Sequence, residues 1–102
     1  KNDLTWDLNL TNGQVKIWMD HDLTDEVALD LAGGAALSTV AAAVATATGA
    51  GAAPAAVLTI VAAALGYYAT ALTLEDDGCG VKITFTKYYD PITPPIPSIE
   101  PQ

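Results

Sequence analysis

The chain has 102 residues, the length of one domain, and its composition of 51% hydrophobic and 16% charged residues excludes intrinsic disorder over its whole length. Twelve acids stand against four lysines and no arginine, a net charge of −8. Such a surface repels nucleic acid and anionic lipid headgroups, and it excludes a basic membrane-surface helix.

The first residue is Lys1 and not Met, which reads as a processed or cropped chain. With the acidic balance, which suits salty or extracellular media, the expected localisation is secreted, extracellular or at the cell surface. From Leu4 to Met19 the sequence predicts a β-hairpin. Leu4, Trp6, Leu8 and Leu10 alternate with polar residues, the period of a half-buried strand. Asn12-Gly13 suits a type I′ turn, which would set Leu10 opposite Val15, Leu8 opposite Ile17 and Trp6 opposite Met19. Asn9-Leu10-Thr11 matches the N-glycosylation pattern, so Asn9 is a possible acceptor, although so short a motif also arises by chance.

Asp22 or Thr24 is expected to cap a helix that runs to about Thr48. Gly49-Ala50-Gly51 breaks it, and Pro54 opens a second helix that runs to about Leu74. Each would be roughly 20–25 residues, or ~30–37 Å long. Together they predict a long antiparallel helical hairpin. No charged residue lies between Leu31 and Leu74. Gly78 and Gly80 then turn the chain into a third strand, in which Val81, Ile83 and Phe85 alternate with Lys82, Thr84 and Thr86 and which Tyr88 and Tyr89 extend. From Pro91 onward the proline content favours an extended tail.

The expected fold class is therefore α+β: an N-terminal β-hairpin, a long hydrophobic helical hairpin, a C-terminal strand joining the sheet, and a Pro-rich tail. Residues 1–90 form one domain and residues 91–102 the tail.

Few residues offer chemistry. Asp20, His21 and Asp22, with Asp25 nearby, are possible metal ligands, but adjacent turn residues seldom converge, and a cap and connector is the plainer reading. Glu75, Asp76 and Asp77 lack the spaced oxygens of a calcium loop and read as a solvated acidic turn. Acids at a helix C-terminus oppose its dipole, which is compatible with a cation nearby. Ser38 and Ser98 have no histidine beside them in sequence, and Cys79 has no basic neighbour to activate it. Cys79 is the sole cysteine, either an ordinary thiol or one that pairs between chains. The sequence predicts no enzyme, cofactor, metal centre or small-molecule substrate.

The uncharged segment has three ways to leave water: against its own strands, in a bilayer, or against copies of itself. A sheet covers only one side of helices that are apolar all round. In a bilayer, no Lys or Arg flanks either span to orient it. Small residues recur at four-residue spacing, as in Gly34 with Ser38 and Ala41 with Ala45, which permits close helix contact. The leading expectation is a secreted, non-enzymatic structural subunit that self-assembles into a filament or ring, its partners copies of itself. Gly34, Ser38, Ala41, Ala45, Leu58 and Leu65 of the helices and Ile92, Ile96 and Ile99 of the tail are the expected self-association residues. The alternative is a membrane-active, pore-forming or bacteriocin-like secreted protein.

The aromatic strand from Trp6 to Trp18, the Ala/Gly-rich segment from Gly33 to Leu74 and the run Gly78-Cys79-Gly80-Val81-Lys82-Ile83 give the chain a further likeness. It resembles a loose group of small secreted bacterial and archaeal proteins of bacteriocin-like character. The resemblance implies secretion and membrane activity and assigns no functional residue. The acidity departs from the cationic pattern of typical bacteriocins.

Overall fold

The computed structural model describes residues 1–8, 12–88 and 96–102. In chain order they form β1 (Asp3–Leu8), β2 (Asn12–Met19), α1 (His21–Ala32), α2 (Leu37–Ala47), α3 (Ala55–Tyr67), α4 (Leu72–Glu75), β3 (Val81–Tyr88) and β4 (Ile96–Pro101). The strands make one antiparallel sheet in the order β1-β2-β3-β4. All four helices fall between β2 and β3, which are nonetheless neighbours in the sheet.

Period-two alternation separates the two faces of the sheet. Leu4, Val15, Ile17, Met19, Val81, Ile83 and Phe85 point to one side and are buried. Against them pack Leu23 and Val27 of α1, Val40 and Val44 of α2, Val57, Val61 and Leu65 of α3, and Leu72 of α4. The other face is open and carries a row of paired residues, Asp3, Trp18, Lys82 and Glu100. There Lys1 Nζ lies 4.4 Å and Lys82 Nζ 5.3 Å from the centroid of the Trp18 ring, within cation–π range.

The long helical hairpin is not formed. The first expected helix is two helices, because the chain turns at Gly33-Gly34. Gly34 has φ +85°, and the Gly34 and Ala35 amides donate to the carbonyls of Leu31 and Asp30, the double bond of a Schellman cap. Leu37 can then start α2 in a new direction. The second expected helix stops at Tyr67 and resumes as the single turn α4, which brings Leu72 fully into the core. The longest helix, α3, has 13 residues and spans ~20 Å, against ~30 Å for a bilayer core. Among the described residues no helix is long and apolar enough to cross a membrane.

Other boundaries also differ from expectation. Asp20, not Asp22 or Thr24, caps α1, its carboxylate accepting from the Leu23 amide at 2.8 Å. Thr24 is buried and donates its hydroxyl back to the Asp20 carbonyl at 2.7 Å. In the first hairpin Leu4 pairs with Ile17, Trp6 with Val15 and Leu8 with Gly13. That register is four residues from the expected one, and an even shift keeps every side chain on its face. Asn12-Gly13 lies inside β2, where it pairs with Tyr88 and Lys87 of β3. The Pro-rich tail is not a tail throughout, since residues 96–101 are an edge strand. Its prolines, which cannot donate to a ladder, are tolerated at the edge, and Ile99 packs on the core opposite Ile83.

The charge-free segment is thus a helical layer. Its valines, with Leu65 and Leu72, face the sheet, and its outer surface is uncharged and mostly small, with Leu37, Tyr67 and Leu74 the large side chains exposed on it. Ala42, Ala43, Thr46 and Ala47 of α2 and Ala55, Ala56, Thr59 and Ala63 of α3 are exposed.

Candidate functional site

The one cluster of chemistry-bearing side chains among the described residues joins the two acidic segments that flank the helical layer. His21 is the first residue of α1, and Asp25 lies one turn further on the same helix face. Asp76, 55 residues from His21 in sequence, is the C-cap residue of α4. Its Oδ1 accepts from the amides of Gly78 at 2.8 Å and Gly80 at 2.9 Å, and its Oδ2 lies 2.6 Å from His21 Nδ1. His21 Nε2 is 3.3 Å from Asp25 Oδ2. The Asp76 side chain is only 2% exposed, whereas His21 and Asp25 are about half exposed at 50% and 48%.

The electrostatics follow from these contacts. The hydrogen bond to Asp76, with the added charge of Asp25, raises the imidazole above its ordinary 6.5. Burial favours the neutral form of Asp76. The Gly78 and Gly80 amides and His21 outweigh it and hold the carboxyl below its ordinary 3.8. His21 is thus the cation near an acidic helix end, and it ties the start of α1 to the turn before β3.

This arrangement has a defined pH signature. A raised histidine contributes stability that is complete below 6.5 and is lost as pH rises through its folded-state value. A depressed carboxyl contributes stability that is present above 3.8 and is lost as pH falls through its folded-state value. The stability difference between the wild type and His21→Asn should therefore be largest between pH 3.8 and 6.5 and shrink on both sides. Urea unfolding across pH measures it, and a difference that stays flat into the alkaline range would remove the ion pair from the account.

Metal chemistry fits the trio only in part. Two ligands on one tetrahedral ion with bonds of about 2.0–2.1 Å stand ~3.3 Å apart. The Nδ1–Oδ2 separation of 2.6 Å is a hydrogen bond and is too short for two ligands of one ion. Asp76 instead backs the imidazole, as a carboxylate does behind a ligating histidine. Nε2 and the Asp25 carboxylate have the spacing of two ligands, and two make an incomplete set. Asp22, the residue after His21, is exposed and lies in the first turn of α1.

The expected self-association residues are distributed differently. Gly34 is exposed in the turn between α1 and α2. Ser38, Ala41 and Leu58 line a groove of about 430 Å³ between α2 and α3, together with Ala55, Thr59 and Ala62. Ala45 and Leu65 are buried within the chain, as is most of Ala41. Ile99 is half-buried against its own core, and Ile96 enters β4. Ile92 and the candidate acceptor Asn9 lie outside the described residues. Cys79 is exposed and carries a free thiol.

Sequence reading did not pair His21 with Asp76. The signal it could have used is glycine two and four residues after Asp76, which frees backbone amides to close on a carboxylate. No known protein family, no curated protein and no solved structure matches the chain.

Proposed function

We propose that the chain is a non-enzymatic structural subunit that associates with copies of itself through the outer face of α2 and α3. The observation that carries this reading is the exposed, charge-free surface of those two helices, grooved at Ser38, Ala41 and Leu58. Small side chains let a second helix approach closely, and burying an uncharged surface has no ionic desolvation to offset. The sheet edges are less suited to the task. Asp3 and Asp7 guard β1, and the prolines at 97 and 101 guard β4. A patch that pairs with itself gives closed dimers, whereas pairing with a different patch gives rings or filaments.

Sedimentation velocity over a concentration series, followed by negative-stain microscopy, tests the proposal. The wild type should sediment well above its 10.5 kDa chain mass as concentration rises. The double variant Ser38→Glu/Thr59→Glu, which places charges in the groove, should stay monomeric with an unchanged circular-dichroism spectrum. A wild type that stays monomeric throughout, or a variant that assembles equally well, would overturn it.

A further inference from the structure

A second groove, of about 640 Å³, runs along α1 beside the buried face of that helix, against the chain from Ala69 to Thr73, with Leu31 in its lining. Ala28, Leu29 and Ala32 form its α1 wall with Asp25 at one end, and Ala69 and Thr73 stand opposite. It is mostly apolar and has the size of a binding cleft. Two large apolar side chains are exposed at or beside it, Leu29 at 73% and Leu74 at 81%. Large apolar residues exposed singly are ordinary, and they become informative where they adjoin an apolar trough.

The charge around the groove has one sign. Eight of the twelve acidic residues fall between Asp20 and Asp77, and no lysine does. Asp22 and Glu26 continue the line of Asp25 along α1, and Glu75 and Asp77 follow α4. The cation within this region, His21, is already held between Asp76 and Asp25. Lys1 and Lys82 are on the opposite side of the molecule, over Trp18, and are paired with Asp3 and Glu100. The other two lysines, Lys16 and Lys87, lie in strands β2 and β3, so a second copy of this chain offers the groove no cationic helix.

We infer that this groove is a docking site for a cationic amphipathic helix from a different protein. Apolar side chains at one face of such a helix would fill the trough beside Leu29. Its lysines or arginines would meet Asp25 at the end of the groove and the acids of α1 and of the segment that follows Thr73. Asp25 to Ala32 is eight residues of α1, a rise of ~10 Å, which matches about two turns of a partner helix and the i, i+3, i+7 spacing of its anchors. The site lies apart from the α2–α3 surface, so its fate is independent of self-association.

Fluorescence anisotropy with a labelled amphipathic peptide tests it. The probe is a peptide of about 14 residues with leucines on one helical face and lysines on the other. Its comparators are the same peptide with glutamate for lysine, and an oligolysine of equal charge. The leucine–lysine peptide should bind, the glutamate peptide should not, and binding should weaken as salt rises from about 50 to 300 mM. Ala32→Arg, which puts bulk and positive charge into the trough, should weaken binding at least about tenfold, and Leu29→Ala about fivefold. Both positions are exposed, and circular dichroism checks that the variants fold. Thr84→Ala on the open sheet face should change nothing. Oligolysine binding as tightly as the amphipathic peptide would reduce the site to general acidity. Unchanged binding to Ala32→Arg, or loss of binding in Ser38→Glu/Thr59→Glu, would also overturn the proposal.

Discussion

Gly80→Ala is expected to lower stability by more than about 3 kcal/mol, a large part of what a domain of this size has. Two effects combine. Gly80 has φ +90°, a backbone conformation that costs a residue with a side chain about 1–2 kcal/mol. A Cβ there would also overlap the carbonyl oxygen of Met19 and lie 2.6 Å from Asp20 Cα. Neither neighbour can retreat cheaply, because Met19 is a fully buried residue at the end of β2 and Asp20 caps α1. The shift would carry the Gly80 amide away from Asp76 Oδ1 and so loosen the support of His21. Gly34→Ala is the control. Gly34 has a similar φ of +85° but nothing within 4 Å of an added Cβ, so it should lose only about 1 kcal/mol. Urea unfolding monitored by circular dichroism compares the two. Equal midpoints would mean that the close approach to Met19 does not constrain the fold.

Leu65→Ala should cost about 2–5 kcal/mol through the cavity it leaves. Leu65 is fully buried on α3 and belongs to the core that includes Ile17, Ile83 and Leu72. The loss should be the same at all protein concentrations, since the side chain is enclosed by its own chain. An unfolding midpoint that depended on concentration in the wild type but not in Leu65→Ala would assign this residue to an interface between copies. Leu29→Ala, at an exposed position, should stay within about 0.5 kcal/mol of the wild type.

The contrast between Leu65 and Ser38 marks what the sequence could and could not convey. A stretch without charge looks alike all round a helix when the chain is read by charge alone. Its inward stripe is written in side-chain size. Val40, Val44, Val57, Val61 and Leu65 recur at helical spacing and are buried with Ala41, Ala45 and Ala64, whereas Ala42, Ala43, Thr46, Thr59 and Ala63 face out. Reading that stripe would have moved Leu65 from the surface to the core. The alternation in β2 and β3 was legible because strand periodicity is local. The stop at Gly33-Gly34 was also in the sequence, but the charge-free run that surrounds it suggested continuity. The Asn12-Gly13 turn failed because β2 gains a full antiparallel partner in β3 when those residues stay extended. The pairing of His21 with Asp76 had no local signature, since tertiary packing alone brings together residues that far apart.

The placement of all four helices between two neighbouring strands bears on how the chain reaches this fold. Closing a loop from Met19 to Val81 costs ~3.7 kcal/mol of chain entropy before a single β2–β3 bond forms. The β1–β2 and β3–β4 pairs span far shorter gaps. The two outer ladders are therefore the local events of folding, and the central one is the nonlocal event. It becomes favourable only as α1 to α4 compact and draw Met19 and Val81 together. The middle of the sheet, its most enclosed part in the finished molecule, is the part whose formation depends on the helical layer.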